Sequence, residues 1–134
     1  MAEVAVAERR LISTGSPFER DYGYSRAVID EPFAFVAGTT GYDYAAMTMP
    51  EDVADQARNC WRTIGKALTD GGFSLADVVR VTTYVTRPEF QTPVLQAQGA
   101  VLADIRPAAT IVVVSALARS EMKVEIEATA KRRT

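Results

Sequence analysis

The sequence predicts an α+β protein, a β-sheet covered on one face by two helices in the order β-β-β-α-β-α-β-β. Two observations carry that prediction. Val53, Ala57, Cys60, Trp61, Ile64 and Leu68 recur at spacings of three and four, which lays them along one side of a helix. Residues 78–86 (VVRVTTYVT) are so rich in Val, Thr and Tyr that they read as a strand. A helix with one apolar side, followed closely by such a strand, hides that side by lying across a sheet.

The remaining elements follow in chain order. Residues 1–8 offer small and charged side chains with little to bury and read as a loose tail. Residues 9–14 form a short first strand that Gly15-Ser16-Pro17 ends, and 17–23 read as a loop. Residues 25–29 and 33–38 make a hairpin around the turn Asp30-Glu31-Pro32. Residues 39–47 have turn composition. Thr48-Met49-Pro50-Glu51 fits a capping box that opens the long helix, and Gly71-Gly72 supplies the positive-φ position that stops it. Thr92-Pro93 opens a second helix to about residue 103, with Val94, Val101, Leu102 and Ile105 on one side. Arg106-Pro107 closes it, because the residue before proline is pushed away from helical angles.

Residues 110–114 (TIVVV) are almost wholly apolar, as in a strand covered on both faces. In the last strand Met122, Val124, Ile126 and Ala128 point one way, and Lys123, Glu125, Glu127 and Thr129 the other. Two helices cover only one face of such a sheet. The apolar residues left on the other predict an oligomer.

Bulk composition excludes several classes of function. The length of 134 residues predicts one domain spanning 1–134. A net charge of −2 with no basic stripe argues against a nucleic-acid partner. With no histidine, one chain can hold no His-based triad, His metal site or His general base. The single cysteine, Cys60, rules out an internal disulfide or a thiolate cluster, and its place among apolar helix neighbours makes it a packing residue. No apolar run approaches the roughly 20 residues of a membrane span. The first ten residues lack the apolar core of a signal peptide, so the expected location is cytoplasmic, with no membrane partner.

Three blocks cover nearly the whole chain: YGYSRAV with FVAGTTG, DQARNCWRTIGKALTDGGFSLADVVRVTTYVT, and RPAATIVVVSALARSEMKVEIEATA. In content and order they resemble the RidA/YjgF family, also called endoribonuclease L-PSP. That resemblance implies a chorismate-mutase-like fold and a homotrimer whose three sheets form a barrel. It also implies small-molecule clefts between neighbouring subunits, and hydrolytic deamination of enamines or imines without a cofactor or metal.

Candidate site residues come from both sources. Glu125 and Glu127 share a strand face and could do acid/base work if burial raised one pKa. They could equally be solvated, or one could pair with Arg119 or Lys123. The resemblance puts Glu125 in the cleft, positioning the attacking water. Tyr24 offers a flat apolar surface and a hydroxyl at the mouth of a strand, although an edge residue packed on a neighbouring subunit would look the same. Gly38 supplies close backbone approach or positive φ. By resemblance both belong to the pocket wall, as does the segment holding Arg106, Ala109 and Thr110.

That segment departs from the family pattern. Deaminating members carry Arg directly after Pro-Ala, where its guanidinium forks onto the substrate carboxylate; here the residue is Ala109. Losing such a contact costs on the order of 2–5 kcal/mol, about 30-fold to several thousand-fold in binding. Arg106 or Arg26 could reach in from another angle, and Arg106 could equally cap the preceding helix. The expectation is a deaminase-type hydrolase with an altered substrate. The rival is a ligand-binding or protein-interacting paralogue without turnover. A ribonuclease fits poorly with an acidic chain lacking histidine.

Overall fold

The β-branched segments pair into one six-stranded sheet, and the amphipathic segments lie across it. The computed structural model describes residues 8–133. In chain order the elements are β1 (Arg10–Ile12), α1 (Pro17–Tyr22), β2 (Ala27–Asp30), β3 (Phe33–Thr40), α2 (Val53–Asp70), β4 (Val78–Val85), α3 (Gln91–Leu102), β5 (Ala108–Val113) and β6 (Val124–Lys131). Short 3₁₀ turns precede β4 and α3. The expected tail falls, apart from the exposed Glu8, outside the described residues.

The strand order is β1-β2-β3-β6-β4-β5. Neighbours run antiparallel except β4 and β5, which are parallel and joined through α3. The β2–β3 hairpin turns at Glu31-Pro32, as expected. α2 packs on β3 and β6 and against α3. α3 lies over β4, where the buried Thr83 hydroxyl donates to the buried Gln98 side chain at 3.0 Å. Both helices therefore cover one face. Ala34, Val36, Val81, Val85, Val124, Ile126 and Ala128 meet Ala57, Trp61, Ile64 and Leu68 there.

Four local expectations need correction. Residues 17–22 are helical, not loop. Ser16 caps them by accepting from the Phe18 amide, Pro17 occupies the first turn, and Gly23 ends them at φ 72°. The N-cap of α2 is Asp52, which accepts from the Asp55 amide, and not Thr48. Thr48 instead bridges to Asp43 across a small turn, so the helix starts later. α3 begins at Gln91 because a 3₁₀ turn over Pro88–Phe90 leads into it, leaving Thr92 inside the helix. Within this chain β5 is mostly exposed and not covered on both faces: it is the sheet edge, with Val112 and Val113 at 38% and 44% exposure.

The stop of α2 is as expected, with Gly72 taking the positive φ of 81° while Gly71 stays at −86°. The face away from the helices carries Phe35, Thr82, Tyr84, Glu127 and Thr129 and is open in the single chain.

Candidate functional site

The site is assembled from four segments: α1, the chain entering β2, the end of β3, and the start of β6. Gly23 turns the chain out of α1 so that Tyr24 and Arg26 lead into β2. The register of β3 against β6 shifts between Val36 and Thr39, and Gly38 lies within that irregularity. Beyond it, Thr40 pairs with Glu125.

Gly38 has no positive φ. Its requirement is space: a Cβ there would lie 2.9 Å from the Glu125 carboxyl carbon, closer than real Cβ contacts come. The Glu125 carboxyl thus rests directly on the Gly38 backbone. Burial pushes this carboxyl above the usual carboxylate range, the Arg26 charge pulls it back in part, and Glu127 adds a smaller push upward.

Arg26 is fully buried. Its Nη1 donates to the Gly38 carbonyl at 2.7 Å and to Thr39 Oγ1 at 2.9 Å. Its guanidinium carbon lies 4.8 Å from the Tyr44 ring centroid and 5.6 Å from that of Tyr24. Burial raises the Tyr24 phenol's pKa, with Arg26 opposing. Tyr44 in turn accepts from the Thr40 amide at 3.0 Å, which fixes its ring.

Tyr24, Gly38, Tyr44 and Glu125 line an open cleft of about 520 Å³, together with Phe18 and Tyr22 of α1 and with Arg119 and Met122. The Arg119 guanidinium sits 4.9 Å from the Phe18 ring centroid. Among the described residues, no carboxylate pairs with it. The cleft therefore offers one carboxyl with a raised pKa, one exposed cation and a wall of aromatic faces.

The structure brings together Tyr24, Gly38 and Glu125, and places Arg106, Ala109 and Thr110 elsewhere within the chain. Ala109 is registered beside the core residue Val81 but is itself exposed at the sheet edge, while Thr110 stands beside Thr82 on the open side. Arg106 is exposed at φ 57°, and its amide donates to Leu102 O at 3.0 Å, closing α3. Arg26 does not reach into the cleft as a free cation, being engaged with Gly38 and Thr39. Glu127 accepts from the Tyr84 hydroxyl at 2.7 Å. Lys123 donates to the Glu51 carbonyl, so neither suggested cation pairs with either glutamate. Phe18, Tyr22, Tyr44 and Arg119 were not singled out as cleft residues from the sequence. The Ser16-Pro17 start and Gly23 stop could have revealed the helix bearing the first two.

The family model for endoribonuclease L-PSP matches residues 16–132. The chain belongs to this family, that of the RidA/YjgF proteins. The L-PSP family chain superposes on Rv2704 of Mycobacterium tuberculosis, a YjgF/YER057c/UK114 family member, with a TM-score of 0.86 and 41% identity, covering 93% of this chain and 100% of the other. RidA from the Antarctic bacterium Psychrobacter sp. PAMC 21119 matches with a TM-score of 0.78 and 28% identity over 82% of this chain and 89% of that one. In sequence, the RutC family protein PH0854 of Pyrococcus horikoshii is 31% identical over 108 residues, 80% of this chain and 85% of the relative. The chorismate-mutase-like α+β fold expected of an L-PSP family member is the one found.

Proposed function

We propose that the cleft is a small-molecule site in which Glu125 serves as acid and base for hydrolysis of an imine or enamine. Supporting the reading is one observation above the others: a carboxyl with a raised pKa rests on a glycine backbone, inside a concave site with an aromatic wall and a cation. Water adds to the carbon of the C=N bond. Glu125 takes a proton from the water and delivers one to the nitrogen. The resulting carbinolamine expels ammonia, so that one imine and one water become one carbonyl compound and one ammonia. No electrons are gained or lost, so the reaction is written without a cofactor.

Arg119 is the cation within the cleft and would hold an acidic group of the substrate, in place of the arginine that Ala109 does not provide. The chain acts as a homotrimer whose open sheet faces meet, with the neighbour's β5 edge, including Ala109 and Thr110, closing the cleft. The exposed Phe35 and Val112 on the open face support that assembly, since such apolar surface is stable when covered. A binder without turnover is favoured by Ala109 itself, which carries no charge.

The test is release of ketoacid from freshly generated 2-iminobutanoate and 2-iminopropanoate by wild type, Glu125→Gln and Ala109→Arg. The reading expects weak wild-type turnover, loss of it in Glu125→Gln and a gain in Ala109→Arg. Robust wild-type turnover would show that the site needs no arginine at 109. Turnover that survives Glu125→Gln would remove Glu125 from the chemistry, and none in all three proteins would favour the binder.

A further inference from the structure

A second cavity of about 290 Å³ lies between the outer edge of α2, the end of β1 and the turn after β3. Arg26 lines it, and Tyr44 lines both it and the cleft. Its charges do not cancel. Asp70 is held by Lys66 at 2.8 Å. Asp43 faces its own turn, accepting from the Ala45 and Ala46 amides at 3.0 and 3.2 Å. Arg62 donates only to the neutral Asn59 side chain, at 2.7 Å. Arg26 is wholly buried with its Nε unpartnered, and no carboxylate among the described residues pairs with it. The carboxyl that feels its charge, Glu125, is itself pushed toward the neutral form by burial, so the buried guanidinium is only partly compensated, which is costly. The methylenes of Ile12 and the methyl of Ala67 give the same cavity an apolar wall.

We propose that this cavity is a second ligand site, for a compact organic anion with an apolar body, and that Arg26 links its occupancy to the cleft. The anion supplies the missing negative charge facing Arg26 and Arg62, and its body lies on Ile12 and Ala67. Lys66 can join it, because an exposed i,i+4 pair with Asp70 is worth little and is readily exchanged. Linkage follows from the bonds already made: Arg26 holds the Gly38 carbonyl, and Glu125 rests on Gly38. An anion that draws the guanidinium changes both the charge facing Glu125 and the seat beneath it. The linkage rests on reading the cleft as the reacting site; the binding does not.

The probe is benzoate, followed through the backbone amide resonances of the full-length chain, with benzamide as its uncharged counterpart and inorganic phosphate as charge without a body. Saturable shifts at Arg62, Thr63 and Ala45 are expected, with benzamide and phosphate each weaker by about tenfold or more. The double variant Arg62→Ala/Lys66→Ala, both positions exposed on α2, weakens benzoate by about tenfold or more, whereas Arg119→Ala in the cleft leaves it within about twofold. The Gly38 amide shifts along the same saturation curve. Shifts that never saturate, or that persist in the double variant, overturn the site. Binding that fails in Arg119→Ala assigns benzoate to the cleft and overturns it equally. Phosphate as tight as benzoate overturns the ligand class, and a Gly38 resonance that stays fixed overturns the linkage. None of these readouts depends on turnover, so failure here is distinct from failure of the deaminase reading.

Discussion

Glu125 and Glu127 lie on one strand, two residues apart and on the same open face of the sheet, yet they occupy different environments. Glu127 accepts from the Tyr84 hydroxyl, and that bond raises the tyrosine's pKa while occupying the carboxylate. Glu125 rests on the backbone of Gly38, half buried, with its carboxyl pushed up and, among the described residues, no side-chain hydrogen bond to it. The residue type and the strand alternation are identical. What separates the two carboxyls is the missing Cβ on the neighbouring strand, which lets Glu125 settle into a buried seat that raises its pKa, against the partial pull of Arg26.

The largest expected effect separates the two directly. Glu125→Gln lowers the rate of ketoacid release by about 10²–10⁴-fold, the usual worth of a general acid–base, while Glu127→Gln stays within a few-fold. Equal losses in the two variants would erase the distinction.

A middle-sized effect tests the seat. Gly38→Ala forces a methyl against the Glu125 carboxyl, which swings off its seat, so the fold loses only about 1 kcal/mol or less while turnover falls with the displaced carboxyl. Gly99→Ala lies inside α3 with nothing within 4 Å of the added carbon, and stabilises by about 0.5–1 kcal/mol. Thermal or urea unfolding of both variants reads the contrast. The smallest effect is at the other glutamate: Tyr84→Phe removes one half-exposed hydrogen bond and shifts stability by about 1 kcal/mol or less, with turnover unchanged.

Much of this was legible in the residues. The β-branched run at Val78–Val85 and the alternation of β6 follow directly from side-chain shape and period, and the three- and four-residue spacing of Val53 to Leu68 gave α2 its buried face. The failures were local. Asp52 won the cap from Thr48 because several capping side chains stand close together and only the turn at Asp43–Thr48 decides between them. The short α1 was too brief for a periodic pattern, although its proline and glycine boundaries were in plain view. For the cleft, Tyr24, Gly38 and Glu125 came from family resemblance. Arg119 and Tyr44 could not be placed there, because a loop's direction after β5 and β3 is set by tertiary contacts that no spacing encodes.

The pH dependence follows from the same carboxyl. A glutamate whose folded pKa is raised binds its proton more readily folded than unfolded. Its contribution to stability therefore grows as pH falls through the raised folded pKa toward the unfolded value, and is lost as pH rises through that window. Activity runs the opposite way: the base form is depleted as pH falls, beginning above the ordinary glutamate range, so turnover declines where this carboxyl's contribution to stability grows.

The central claim is tested most directly by titrating the Glu125 side-chain carboxyl itself, followed by its carbon resonance in the full-length protein. The account predicts a midpoint above the ordinary 4.5, returning toward that value when Gly38→Ala displaces the carboxyl from its seat. A midpoint at or below 4.5 in the wild type would contradict it, since a carboxylate of that kind is a poor base for taking the proton from water at neutral pH.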